Sequence, residues 1–176
     1  FTQSLKPKEK EIFSERLFSE VPKTLQEIAD QYGISRERIR QIENRVIEKM
    51  RSFGEMVGMA FQIKDDLFDY GDAIIGKPTG NDIKEKKLTL PLIHILQKVT
   101  PSLKKEIIYI VKNNNNDKKK VKFVIDNVIA HGGIDYATQK MFEYRDKALF
   151  ILHSFPPSPA REALEELVRY TTDRKY

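Results

Sequence analysis

The stretch "QIENRVIEKMRSFGEMVGMAFQIKDDLFDY", residues 41–70, decides the fold of this chain because it reads as one continuous helix. Its apolar residues recur at spacings of three and four, the pattern of a helix with one buried face. That stripe begins just before the stretch and comprises Ile39, Ile42, Val46, Met50, Phe53, Val57, Ala60 and Phe61. Gly54 and Gly58 weaken such a helix but need not break it. We therefore predict a single helix with an arginine-containing first half and an aspartate-rich second half.

The rest of the chain has the same helical period, so we predict an all-α protein. Breaks between helices are expected where turn-forming residues interrupt the apolar pattern, at "TPS" (100–102), "NNNND" (113–117), "HGG" (131–133) and "PPSP" (156–159). A helix is also expected in "KPKEKEIFSERLFSE", residues 6–20. No run of residues alternates long enough to predict a strand.

The composition limits the classes of function. With 40% hydrophobic and 32% charged residues, the 176-residue chain is typical of a globular protein. Cysteine is absent, which excludes disulfides and cysteine-based sites and agrees with a cytoplasmic location. The apolar run Leu88–Leu96 is far shorter than a membrane span, and the first residues lack an apolar signal core. We expect neither a membrane span nor an export signal. A net charge of +5 permits a polyanionic partner without requiring one.

Residues 24–50, "TLQEIADQYGISRERIRQIENRVIEKM", have the pattern of two helices joined by a tight turn. Thr24 with Glu27 forms a predicted capping box at the start of the first helix, and Gly33 ends it. Ser35 is the expected N-cap of the second helix. We therefore predict a helix-turn-helix.

The polar side of the second helix has residues suited to DNA. Arg36, Glu37, Arg40 and Gln41 project from its N-terminal end, the end that a recognition helix places in the major groove. Arginine suits guanine, glutamine suits adenine, and glutamate can accept from cytosine. Arg38, Arg45, Lys49 and Arg51 lie to the sides, where phosphates would run. The alternative is an ordinary solvated helix face, and the pattern alone leaves it open.

Two stretches of the sequence closely resemble the C-terminal promoter-recognition region, region 4, of bacterial RNA polymerase sigma factors. They are "LKPKEKEIFSERLF" and the later "TLQEIADQYGISRERIRQIENRVIEKMR". The likeness covers about residues 3–52, and "SRERIRQIE" is its most specific part. The resemblance implies binding to the upstream promoter element and docking on the flap of the polymerase β subunit. The other sigma regions are not in this sequence, so we do not expect a working sigma factor.

The second half of the long helix has three carboxylates within about one turn. Asp65 and Asp69 share a helical face, with Asp66 beside them. Carboxylates this close repel one another unless a cation lies among them, and Mg²⁺ prefers carboxylate, water and phosphate oxygens. The pattern favours a Mg²⁺ site for a diphosphate, with Lys64 or Lys77 nearby to balance charge. An exposed acidic helix turn is the open alternative.

The longer stretch "FGEMVGMAFQIKDDLFDYGDAIIGKPTGNDIKEKKLTLPLI", residues 53–93, resembles the second aspartate-rich motif of trans-isoprenyl diphosphate synthases. The likeness continues weakly to the C-terminus. It implies that Asp65, Asp66 and Asp69 are metal ligands and that Gln62, Lys77 and Asp82 are their neighbours. It also implies an isoprenoid-synthase-type helical bundle and an allylic diphosphate substrate that ionises with metal assistance.

Only one DDxxD occurs in the sequence, whereas the resembled enzymes use two such motifs facing each other across a cavity. We therefore expect a chimera. Residues 1–52 form a sigma-type DNA-binding domain, and residues 53–176 form the C-terminal part of a polyprenyl diphosphate synthase. Alone, the chain is expected to be catalytically incomplete. One alternative is an enzyme that is active when a partner supplies the first motif, and another is an engineered fusion without joint function. Apolar faces left without cover favour a homodimer.

Overall fold

The computed structural model describes residue 21, residues 23–71 and residues 79–173. The helix expected in residues 6–20 lies outside the described residues. α1, Leu25–Tyr32, and α2, Arg36–Phe68, come first and are joined by the predicted tight turn. α2 is one continuous helix of 33 residues, which confirms the prediction made from residues 41–70. It ends at Phe68, and Asp69 and Tyr70 already belong to the following turn.

Six further helices follow, and their bounds agree with the predicted breaks. They are α3, Asn81–Lys84; α4, Leu90–Lys98; α5, Pro101–Asn113; α6, Lys118–Ala130; α7, Gly133–Leu152; and α8, Pro159–Asp173. Pro101 and Pro159 stand in the first turns of α5 and α8, where a missing backbone N–H costs nothing. No strand occurs among the described residues, so the all-α prediction is confirmed for that part of the chain.

The described residues divide into two compact units. One comprises the residues up to Val57 together with Asp146–Arg169, and the other comprises Gly58–Arg145 and the residues from Tyr170 onward. The division therefore falls within α2, α7 and α8 rather than at a loop. It also places the end of α7 and most of α8 in the same unit as the helix-turn-helix.

The first unit has two small hydrophobic cores. In one, Ile28 and Ala29 of α1 pack with Ile39 and Ile42 of α2, and Ile34 of the turn packs against them. In the other, Phe53 of α2 packs with Ala148, Leu149 and Leu152 near the end of α7 and with Val168 of α8. The predicted apolar stripe of α2 thus packs against α1 at Ile39 and Ile42, and against α7 and α8 at Phe53.

The second unit has its main core between α4, α5 and α6. Leu92 and Ile95 of α4 are fully buried against the inner faces of the two following helices, which supply Ile107, Ile110, Val111, Val121, Val124 and Val128. A smaller core joins the last third of α2 to α7 through Ala60, Ile63, Ala137 and Met141. The prediction that Phe61 continues the buried stripe is wrong. Phe61 is 39% exposed, and Ile63 lies on the buried side instead, because the 3.6-residue period carries the stripe from Ala60 to Ile63.

No helix among the described residues is both long enough and apolar enough to cross a membrane.

Candidate functional site

A polar cleft lies where α2 ends, within the second unit. Its volume is about 310 Å³. Residues of α2, of the turn after it, of α3 and of the segment after α3 line it: Gln62, Asp65, Asp66, Phe68, Asp69, Asn81, Asp82 and Lys87. The cleft therefore brings the three predicted carboxylates together with a fourth, Asp82, which lies more than ten residues further along the chain.

Asp69 is a buried carboxylate that organises the backbone of α3. Its two oxygens accept hydrogen bonds from the backbone N–H of Asn81 (2.7 Å) and of Asp82 (3.1 Å). The residue is only 9% exposed, and burial raises the pKa of its carboxyl group against the lowering effect of these two bonds. The backbone carbonyl of Asp69 also accepts from the N–H of Gly80 (2.9 Å). Asp69 therefore acts as an acceptor for the first turn of α3.

Asp66 plays the same part for α4. Its Oδ2 accepts from the backbone N–H of Leu90 (3.2 Å), the first residue of α4, and its Oδ1 accepts from Gln62 Nε2 (3.3 Å). Thr89, the residue before α4, makes no side-chain cap there, so Asp66 supplies an acceptor from outside the helix. Two of the three motif carboxylates thus accept hydrogen bonds from backbone N–H groups at the starts of α3 and α4.

A buried hydroxyl pair lies beneath these carboxylates. The Tyr70 hydroxyl and Thr89 Oγ1 are 2.5 Å apart, and both residues are buried. Burial raises the pKa of the Tyr70 phenol well above its usual range, so the phenol is neutral at physiological pH. The pair joins the turn after α2 to the residue that precedes α4.

Lys87 is the cationic side chain of the cleft. Its Nζ lies 3.2 Å from Asp82 Oδ1 and 2.6 Å from Glu85, and hydrogen bonding to these carboxylates raises the pKa of Lys87. The sequence-based prediction named Lys64 and Lys77 instead. Lys64 lies over the Phe68 ring, 5.2 Å from its centroid, and is not among the lining residues, while Lys77 lies outside the described residues. The only sequence signal for Lys87 was its place in the lysine-rich segment that follows Asp82.

The donor set of the cleft suits a hard cation, although the side chains are not gathered around one point. Carboxylate oxygens from Asp65, Asp66 and Asp82 are the ligand type that Mg²⁺ prefers. Within residues 23–71 and 79–173, no three acidic or histidine side chains come together as a ready metal-binding group. The hydrogen bonds of Asp66 and Asp69 to backbone N–H groups explain this, since those oxygens point towards the protein chain.

The helix-turn-helix has the local structure that its sequence predicts. Thr24 and Glu27 form the capping box, and Gly33 ends α1 with a φ of 63°, a conformation that glycine adopts without strain. Ser35 Oγ accepts from the backbone N–H of Arg38 (3.1 Å) at the start of α2. Ile39 is fully buried, so the neighbouring polar residues face outward.

The predicted DNA-facing residues form one exposed cluster at the start of α2. Arg36, Glu37, Arg38, Arg40 and Gln41 are all exposed. The Arg40 guanidinium donates to Glu37 (3.0 Å), which lowers the pKa of the Glu37 carboxyl group, and Arg38 donates to Gln41 (3.3 Å). Arg45 is half-buried and has contacts of its own. The cluster can present donors and acceptors together, as base recognition requires.

Comparison with known proteins assigns each part. Residues 36–128, just over half of the chain, match the family model for polyprenyl synthetase. The chain belongs to the polyprenyl synthetase family. Residues 3–52 match the family model for Sigma-70, region 4. Both domains are therefore present, and the two matches overlap in residues 36–52, the first half of α2. The predicted chimera is consistent with these matches.

Relatives of the polyprenyl synthetase part include solanesyl diphosphate synthase 1, chloroplastic, of Arabidopsis thaliana, 33% identical over 76% of this chain and 32% of its own length. A solved geranylgeranyl pyrophosphate synthase from Bacteroides thetaiotaomicron is 34% identical over 73% of this chain and 42% of that chain, with a TM-score of 0.65. A polyprenyl synthase from Caulobacter crescentus, complexed with calcium and isoprenyl diphosphate, is 31% identical over 73% of this chain and 40% of its own, with a TM-score of 0.62. The chain thus spans about a third to two fifths of the length of these relatives.

Proposed function

We propose that this chain joins a promoter-DNA-binding helix-turn-helix to a Mg²⁺- and diphosphate-binding part of a prenyltransferase. The observation that carries the second assignment is the cleft at the end of α2, where the motif carboxylates meet Asp82 and Lys87. The cleft lies in the part of the chain that matches polyprenyl synthetase. The relative from Caulobacter crescentus, complexed with calcium and isoprenyl diphosphate, supports the choice of a divalent cation and a diphosphate as ligands.

The residues of the cleft divide into two roles in this proposal. Asp65 and Asp82 would contact the ion, while Asp66 and Asp69 hold the backbone of α3 and α4 in place. Lys87 adds a positive charge beside Asp82 that favours a diphosphate in the same cleft. Mg²⁺, when bound, stabilises the charge that develops on a departing diphosphate. Because the sequence has one DDxxD, we propose that this chain alone does not transfer prenyl groups.

Calorimetric titration of a prenyl diphosphate, with and without Mg²⁺, tests this assignment. Saturable binding that requires Mg²⁺ is expected, with at least a tenfold loss of affinity in Asp65→Ala. Asp126→Ala is the matched control because Asp126 is an exposed carboxylate paired with Lys122, far along the chain from the cleft residues. Equal binding by wild type and Asp65→Ala would remove the proposed site. Prenyl transfer after addition of a protein that carries the first motif would support the alternative of an enzyme completed by a partner.

The DNA-binding assignment rests on the match to Sigma-70, region 4, and on the exposed cluster at the start of α2. Fluorescence anisotropy with a duplex containing an upstream promoter element, against a scrambled duplex at two salt concentrations, tests it. We expect tighter binding to the promoter sequence, with a loss of about tenfold in Arg40→Ala and Gln41→Ala. Arg169→Ala is the control, since Arg169 is an exposed arginine of α8 paired with Glu165. Indifference to sequence, to Arg40→Ala and to Gln41→Ala would contradict the assignment.

Two protein partners complete the proposal. The sigma-type domain would dock on the flap of the RNA polymerase β subunit, which co-purification with the isolated flap would detect. The synthetase part would form a homodimer, and Met59 and Phe61, at 44% and 39% exposed, are apolar residues of α2 that such an interface could cover. A monomer by light scattering at tens of micromolar would contradict the dimer. Failure of both the DNA and the diphosphate experiments would favour a fusion without joint function.

A further inference from the structure

The positive charge of this chain is concentrated in the hairpin of α5 and α6. Residues 101–130 contain seven lysines and three acidic residues, a net charge of +4, whereas the whole chain carries +5. The lysines cluster at the connection between the two helices, where Lys112 precedes it and Lys118, Lys119 and Lys120 follow it. We call these four residues the lysine cluster. All four are exposed, and none takes part in an ion pair with another described residue.

Three members of the lysine cluster occupy an electrostatically unfavourable position at the start of α6, whereas Lys112 lies in the last turn of α5, where a cation is favoured. Lys118, Lys119 and Lys120 form the first turn of α6, which has no acidic residue. The positive end of the helix dipole lies there, so cations are disfavoured. Asp117 is the N-cap, and its carboxylate accepts from the backbone N–H of Lys119 (2.8 Å) and Lys120 (3.3 Å) rather than pairing with their side chains. The first turn of α6 therefore gains nothing from the charges of Lys118, Lys119 and Lys120, and an external anion would offset their repulsion.

Two contacts place this end of the hairpin against the wall of the carboxylate cleft. Asn115, in the connection, is buried, and its Nδ2 donates to the backbone carbonyl of Lys84 (2.5 Å), the last residue of α3. Gly80, just before α3, has a φ of 76°, and a Cβ there would lie 2.5 Å from Val121 Cγ1. Since Asn81 and Asp82 of α3 line the cleft, the first turn of α6 lies directly behind one cleft wall.

We propose that the lysine cluster is an electrostatic guide that draws the diphosphate end of a substrate to the cleft. This inference rests on the proposed diphosphate-binding function. Among the described residues, those that line the cleft include four aspartates and one lysine, so the field of these side chains repels a diphosphate until a cation is bound. A nearby cluster of four unpaired lysines opposes that repulsion at a distance, without contacting the bound ligand.

A nucleic-acid backbone or an anionic membrane is less well supported by the same residues. Membrane binding at an interface requires apolar side chains beside the lysines. The exposed residues at the connection are lysines, asparagines and Asp117, with no exposed apolar residue between 112 and 120. The contacts of Asn115 and Gly80 connect the cluster to the cleft.

The test compares two triple variants with the same change of charge. One is Lys118→Gln, Lys119→Gln and Lys120→Gln; the control is Lys98→Gln, Lys104→Gln and Lys105→Gln, exposed lysines around the other end of α5. Stopped-flow binding of a fluorescent prenyl diphosphate with Mg²⁺ is measured at 10 mM and 0.5 M ionic strength. Circular dichroism checks that both variants remain folded.

We take a separation on the order of 15 Å between the replaced lysines and the ligand. Coulomb's law then predicts that, at low salt, the triple variant of the lysine cluster associates about two- to threefold more slowly for each net negative charge on the ligand. The control and high-salt rates should change by less than a factor of 1.5. Equal slowing in both variants, or none in the cluster variant while wild type binds, would overturn the guide. Loss of affinity for a scrambled DNA duplex or for anionic vesicles, with diphosphate binding intact, would also overturn it. Absence of binding by wild type would instead be a failure of the proposed function.

Discussion

Replacement of Asp69 by alanine should destabilise the synthetase part more than any other single change in the DDxxD motif. Asp69 is 9% exposed and accepts two backbone N–H groups, at 2.7 Å from Asn81 and 3.1 Å from Asp82. A hydrogen bond to a charged group contributes about 1.5–3 kcal/mol, and loss of a helix cap typically costs about 1 kcal/mol. Burial of the carboxylate opposes this gain, but in Asp69→Ala the backbone N–H groups of Asn81 and Asp82 also lose their acceptor. We expect a net loss of about 2 kcal/mol in the free energy of unfolding.

Urea unfolding followed by circular dichroism measures the loss, and amide hydrogen exchange locates it. The amides of Asn81 and Asp82 should lose protection in Asp69→Ala, because their acceptors are gone. Asp126→Ala removes an exposed carboxylate and one surface ion pair, so it should cost less than about 0.5 kcal/mol. A cost for Asp69→Ala no larger than that of the control, with unchanged exchange at both amides, would refute the capping role.

Three further changes test other parts of the structure. Tyr70→Phe leaves Thr89 Oγ1 buried without its partner and should cost about 1–2 kcal/mol by urea unfolding; a neutral effect would contradict the role of this pair. Thr24→Ala removes the capping box of α1 and should cost about 1 kcal/mol, visible as weaker amide protection in α1, whereas unchanged protection would mean that the cap is dispensable. Hydrogen bonds from His153 and Arg169 lower the pKa of Glu165, so its stabilising contribution is present above pH 4.5 and is lost as the pH falls further. The melting temperature of Glu165→Gln should therefore change less between pH 5 and pH 3 than that of wild type, and parallel curves would contradict this.

Much of the fold is predictable from the sequence because its determinants are local. The capping box of Thr24, the glycine at position 33 and the asparagine run each act within a few residues, and the structure has turns at those places. The prediction that the apolar stripe of α2 includes Phe61 is wrong, because Phe61 is exposed. That error arose because two adjacent apolar residues, Ala60 and Phe61, both fit a three-to-four spacing, and the sequence does not say which of them faces a partner helix.

The candidate site is less predictable because its determinants are distant in sequence. A DDxxD pattern identifies three carboxylates but not the direction in which each one points. The acceptor role of Asp69 depends on N–H groups more than ten residues later, and that of Asp66 depends on Leu90. Lys87 lines the same cleft although it lies well beyond the DDxxD motif in the sequence. Whether Lys77 approaches the cleft stays a prediction.

The hydrogen bonds of Asp66 and Asp69 affect which residues natural selection retains in such a sequence. Each carboxylate holds a backbone group that would otherwise be left without an acceptor. Selection for a folded protein alone would therefore retain both aspartates, even in a lineage that no longer turns over any substrate. The presence of Asp66 and Asp69 in an aspartate-rich motif is thus expected from folding alone, whether or not the protein turns over a substrate.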